Sequence, residues 1–187
     1  LAAYQTAAAI REDLVNQDPK NVHYHYDLGM TLFNLGITQR DLGHPQEALA
    51  AARACVHHYQ VAVQCSPRVG HYRTALSGAY SLLANQAAAM GRLEEALAAV
   101  KDRQVFWAGK APELYALAAD LAKASTTWNQ GADSDKLADL AVQALQEAVA
   151  AGFTDGPRLR GDPAFAALRD RADFEAIVSA LPQGKEH

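Results

Sequence analysis

LGMTLFNLGITQRDLGHPQEAL, residues 28–49, and LSGAYSLLANQAAAMGRLEEAL, residues 76–97, share one skeleton, offset by 48 residues. Leu28 falls on Leu76, Leu35 on Leu83, Gly43 on Gly91, and Glu47-Ala48 on Glu95-Ala96, with no gap. Apolar residues recur at three- and four-residue steps on both sides of each glycine. That is the pattern of helix, tight turn and second helix used as a repeating block. Setting residues 1–48 over 49–96 also aligns LAA with LAA, Pro19 with Pro67, and His23-Tyr24 with His71-Tyr72. The chain is therefore expected to open on the second helix of a pair.

Working outward, residues 2–17 read as a helix with Ala3, Ala7, Ile10 and Leu14 spaced for one face. Pro19 ends it, because the residue before a proline is driven out of the helical region. Asn21 is placed to cap a helix over 22–42, whose apolar stripe is Leu28, Leu32, Leu35 and Leu42. Gly43 takes the left-handed turn, and Pro45 opens a third helix that runs to Cys65. A fourth is expected over 69–90, with Leu76, Tyr80, Leu83, Ala87 and Met90 on one side. Gly91 turns the chain into a fifth, opened by Leu93. The next turn, at Gly109 to Pro112, arrives three residues early, and Phe106-Trp107 read as core filler beside it. Helices follow over 113–128 and 134–151, separated by a polar loop from Ser125 to Ser134. Short pieces close the chain, anchored by Phe153, Phe165, Phe174 and Ile177, as a cap sealing the stack from water. The expected fold is all-α. It is a short right-handed superhelical stack of antiparallel helix pairs over residues 1–151, with an atypical helical cap and tail over 152–187.

Half of the 187 residues are apolar, alanine is abundant and aromatics make up only 7%, which suits close-packed helices and excludes a disordered chain. The net charge of -4 lacks the basic footprint of a nucleic-acid binder. Arg158, Arg160, Arg169 and Arg171 are interleaved with Asp155, Asp162, Asp170 and Asp173, as on a solvated surface. Cys55 and Cys65 sit about 15 Å apart along one helix, too far for a disulfide. No run has the length of a membrane span, so direct membrane insertion is not expected. A chain that opens on Leu1 is expected to be a piece of a longer one.

The two glycine-centred units resemble tetratricopeptide repeats. The matching positions are Leu35-Gly36 and Leu83-Ala84, the turn glycines Gly43 and Gly91, the small residues Ala48 and Ala96, and Pro19 and Pro67. They depart from that pattern in length, 48 residues against about 34. They depart also at its aromatic positions, filled by Gln39 and Ala87 and by Ala52 and Val100. The long unit and tail are more specifically similar to the C-terminal helical regions of planctomycete-type bacterial serine/threonine protein kinases. The segments that carry this are residues 1–19 with their repeat, 114–125, 135–155 and 159–181. The resemblance implies a cytoplasmic interaction module whose parent kinase is cytoplasmic or membrane-associated.

Catalytic signatures are not found: there is no kinase glycine-rich loop, HRD or DFG, no G-x-S-x-G, H-E-x-x-H or P-loop. No enzymatic activity, cofactor or metal is expected of this chain. His57 and His58 project about 100 degrees apart and cannot share a metal. His23 and His25 approach His71 if units stack, but no acidic third ligand accompanies them. Taking Leu35 and Leu83 as core, the stripe rotated toward the inner surface is His23, Tyr26, Phe33, Ile37, Arg40 and Asp41. On the neighbouring unit it is His71, Thr74, Ser81, Asn85 and Ala88. These are the candidate partner-binding residues. Some tetratricopeptide domains clamp a terminal carboxylate on this face with lysine, arginine and asparagine. Here Phe33, Ile37 and Ser81 hold those places and only Asn85 fits, which favours a more apolar peptide or protein surface. The expected function is a protein–protein interaction scaffold. Self-association or a spacer role, and a small-molecule or metal-sensing helical domain, are the alternatives.

Overall fold

The computed structural model describes residues 1–127 and 132–182, and of residues 132 and 133 the backbone only. Among these residues there are nine α-helices, one 3₁₀ helix and no strand. The helices are α1 Ala2–Gln17, α2 Val22–Asp41, α3 Pro45–Cys65, α4 Gly70–Ala89, α5 Leu93–Phe106, α6 Ala111–Thr127 and α7 Ala132–Ala150. They are followed by α8 Gly156–Gly161, the 3₁₀ helix Pro163–Leu168 and α9 Ala172–Ala180. The chain forms two compact units, Leu1–Arg103 and Gln104–His187, so the division falls within α5. The boundary expected at 151/152 lies inside the second unit, where the closing helices pack on α6 and α7.

Helix limits follow local chemistry. Asn21 caps α2 by accepting from the His23 and Tyr24 amides at 3.2 and 3.4 Å. Pro45 occupies the first turn of α3, where its missing N–H has no partner to lose. Gly43, Gly91, Gly109 and Gly152 all take positive φ, from 69° to 104°, at the turns that end α2, α4, α5 and α7.

In the first unit α2 and α3 run antiparallel. The His25 and His58 rings lie 5.2 Å apart at one end, and Gly36 approaches the Ala48 carbonyl and Ala51 side chain at the other. A Cβ on Gly29 would lie 2.7 Å from the Tyr59 ring, so that glycine is what lets the two helices close. Between units of the repeat α2 and α4 run side by side in the same direction. Tyr26 meets Tyr72 at 4.8 Å between ring centroids, Phe33 lies over Gly78, and Leu82 lies against Gly36. Each pairing joins residues 45 or 46 positions apart, so the repeat seen in the sequence is also a translation in space. Arg53 on α3 makes a two-pronged contact with Glu95 on α5, at 2.6 and 2.7 Å.

In the second unit α6 and α7 form another antiparallel pair. Ser134 donates to the Ser125 carbonyl at one end, and Tyr115 stacks on Phe153 at the other. The anchors Phe153, Phe165, Phe174 and Ile177 are all buried, and Trp107 is buried as well while Phe106 is partly exposed. The fold is an all-α helical repeat of stacked antiparallel pairs.

Three expectations need correction. Leu42 is 53% exposed because α2 stops at Asp41 and the Gly43 turn carries the chain away, while Gln39 is buried in its stead. Leu35 and Leu83 are only half-buried; the deeper positions are their neighbours Gly36 and Ala84, small enough for three helices to meet. Residues 125–127 are helical rather than loop, with the Ser125, Thr126 and Thr127 hydroxyls donating back to carbonyls of the preceding turn. The centre of that expected loop, residues 128–131, lies outside the described residues.

Candidate functional site

The α2/α4 surface has an apolar strip bordered by polar groups. Helical spacing puts Tyr26, Met30, Phe33 and Ile37 on one line along α2. Met30 is 39% exposed, whereas Tyr26, Phe33 and Ile37 are half-buried. Their partial cover comes from α4: His71 and Tyr72 hold the Tyr26 ring at 5.2 and 4.8 Å, and Gly78 sits beneath Phe33. A Cβ at Gly78 would meet the Phe33 ring at 3.8 Å, an ordinary van der Waals contact.

Of the other expected face residues, His23, Arg40, Asp41, His71, Thr74 and Asn85 are exposed, and Ser81 and Ala88 are half-buried. The Tyr72 hydroxyl lies 3.3 Å from His23 Nδ1. Arg40 donates twice to its neighbour Asp41, at 2.9 and 2.8 Å, which balances the charge at the far end of the strip. Met30 lies outside the stripe expected from sequence. Its signal was there, one turn from both Tyr26 and Phe33, but an origin set on Leu35 skipped it.

Above this strip the histidines divide into two groups. His25 turns into the α2–α3 interface, 6% exposed, instead of joining His23 and His71 on the surface. Its Nε2 lies 3.0 Å from the Pro19 carbonyl, which only accepts, so Nε2 carries the proton. His25 Nδ1 faces His58 Nδ1 at 3.0 Å, so one of the two rings donates to the other. Burial, and then the charges on His25 and His57, pull His58 down from its ordinary 6.5 to about 4. Among the described residues, no three His, Cys, Asp or Glu side chains converge as a metal would need. Cys55 and Cys65 are free thiols, and burial pushes Cys55 up to about 12.

This arrangement sets a pH dependence. The unfolded chain binds a proton at His58 below about pH 6.5, while the folded chain refuses it until about pH 4. The contribution is therefore fully present above pH 6.5 and is lost as pH falls toward 4. Its size is about 1–2 kcal/mol once solvent screening of a half-exposed ring is allowed for. Urea unfolding of the protein and of His58→Asn, compared at pH 7.5 and 5, measures it. The wild-type chain should lose more stability than the variant, and equal losses would remove His58 as the cause.

The second unit contains a cleft of about 280 Å³ lined in part by Tyr115, Phe153, Asp155 and Arg158. Its polar groups are already engaged. The Arg158 guanidinium lies 4.6 Å over the Tyr115 ring, Asp155 caps α8 through the Arg158 amide, and Tyr115 donates to Asp162 at 2.8 Å. The backbone amide of Ala164, then the Tyr115 hydroxyl, hold the Asp162 carboxyl below the usual range. The cleft reads as a joint between helices.

No helix among the described residues is long and apolar enough to cross a membrane. No protein-family model matches the chain, and no curated protein matches it. A solved structure described as the crystal structure of MamA aligns with 79% of this chain and 88% of its own, at 17% identity and a TM-score of 0.27. So loose a superposition adds nothing to the helical repeat of this chain.

Proposed function

We propose that this chain is a protein-interaction scaffold that receives a peptide or protein surface of apolar character on the α2/α4 face. The observation that carries the reading is Met30, exposed at 39% in line with the half-buried Tyr26, Phe33 and Ile37. Such a strip, rimmed by His23, Arg40, Asp41, His71, Thr74 and Asn85, has the make-up of a binding surface. Ser81 and Ala88 extend it along α4. A helix with anchors every three to four residues suits it, since those anchors would follow the same rhythm as the strip.

Peptides selected from a displayed library against the chain provide the test. Bound sequences should carry apolar residues at three- and four-residue spacing. Met30→Glu should weaken them at least about tenfold without changing the circular dichroism spectrum. A selection that yields nothing, or peptides indifferent to Met30→Glu, counts against the surface.

A finer reading rests on the similarity of residues 114–125, 135–155 and 159–181 to the C-terminal regions of planctomycete-type kinases. On that reading the chain is the non-catalytic interaction part of a bacterial serine/threonine protein kinase, held in the cytoplasm. Kinase signatures in the residues immediately before Leu1 would bear this out, and an unrelated domain there would overturn it.

A further inference from the structure

The repeat assigns every position of α1 a counterpart on α3, 48 residues later, and the two helices differ sharply in burial. Ala3 corresponds to Ala51, Ala7 to Cys55, Ile10 to His58 and Leu14 to Ala62. On α3, Ala51, Cys55 and Ala62 are buried and His58 is half-buried. On α1, Ala3 is exposed, Ile10 is 57% exposed, and Ala7 and Leu14 are half-buried. What covers α3 there is α2: Gly36 lies against Ala51, and His25 faces His58. On α1 the same face stays more open, although its spacing is that of a helix with a buried stripe.

We propose that the Ala3–Ala7–Ile10–Leu14 face of α1 is a docking surface for an amphipathic helix of the α2 type, supplied by a further repeat unit and lying antiparallel to α1. The geometry of α2 on α3 states the chemistry of that helix. It carries a small residue opposite Ala3, as Gly36 stands opposite Ala51. Eleven positions earlier it carries the residue opposite Ile10, as His25 stands opposite His58. Ile10 has no polar atom to answer a histidine, so that partner residue is aliphatic. This surface is separate from the α2/α4 strip, and Arg11 already ties the other side of α1 to α2 by donating to the Asp27 carbonyl at 2.9 Å and to the Thr31 hydroxyl.

The test adds residues 22–48, carrying H25L, directly before Leu1, which continues the 48-residue register with its own Gly43 turn. Docking should add about a 20-residue helix to the circular dichroism signal and raise the melting temperature of the first unit by roughly 5 °C or more. Ile10→Asp in the extended chain should abolish that rise. Added residues that stay non-helical, or a rise that survives Ile10→Asp, overturn the proposal. So does a dimer of the unextended chain that Ile10→Asp dissolves, because a second copy would then be the occupant.

Discussion

Phe165→Ala is expected to cost the second unit about 3–5 kcal/mol, most of the stability of a domain this small. Phe165 is wholly buried in the 3₁₀ helix between α8 and α9. Its ring stands edge-on to Tyr115 at 5.4 Å and beside Phe174 at 5.8 Å, so truncation opens a cavity between three elements. Tyr115 and Phe174 cannot swing to fill it. The Tyr115 hydroxyl is tied to Asp162, and the start of α9 is tied down by Arg171, which bridges Asp173 and Asp139 at 2.7 and 2.6 Å. Trp107 is buried in the second unit, so its fluorescence during urea unfolding reports on that unit. Leu42→Ala, at a 53% exposed position of the first unit, should leave that transition where it is. A Phe165→Ala midpoint within error of wild type would mean that the tail is not part of this unit's core.

Gly29→Val should have the next largest effect, about 3 kcal/mol or more from the first unit. A Cβ at residue 29 would lie 2.7 and 2.8 Å from two Tyr59 ring carbons, closer than any relaxed contact. Tyr59 is itself buried and backed by Tyr26 at 5.6 Å, so α2 and α3 would have to separate. The better helix propensity of the new residue offsets less than about 1 kcal/mol of this. Gly36→Ala is the matched control. Its Cβ would meet Leu82, the Ala48 carbonyl and Ala51 at 3.3 to 3.6 Å, and the repeat holds alanine at the equivalent Ala84. Thermal melts of the two variants should therefore separate widely. Equal shifts would mean that the close approach at Gly29 does not control the packing.

Much of the fold could be read from the chain because its punctuation is local. Pro19, Pro45 and Pro67, with Gly43, Gly91, Gly109 and Gly152, restrict or release backbone torsions whatever lies nearby. The helix ends consequently fell within two residues of their expected places. The 48-residue repeat also carried through, since its two equivalent helices α2 and α4 lie side by side, with Tyr26 on Tyr72 and Phe33 over Gly78.

Which side of each helix is buried was not local in this sense. Hydrophobic spacing on α2 pointed to a stripe ending at Leu42, whereas the helix end leaves Leu42 exposed and Gln39 buried. Leu35 looked like core, yet three helices converge on the neighbouring Gly36, where an added Cβ would meet Leu82, the Ala48 carbonyl and Ala51 at 3.3 to 3.6 Å. On α1 the spacing marked Ala3, Ala7, Ile10 and Leu14 as a face to be covered, while their exposure depends on a neighbour that local sequence cannot supply. His25 likewise left the expected surface group for Pro19 and His58, a choice made by distances between separate helices. Residue order on its own thus determined where the helices begin and end and how they repeat. Burial, and with it the surface left open to a partner, was decided only when the helices came together, because side-chain environment is a property of neighbours distant along the chain.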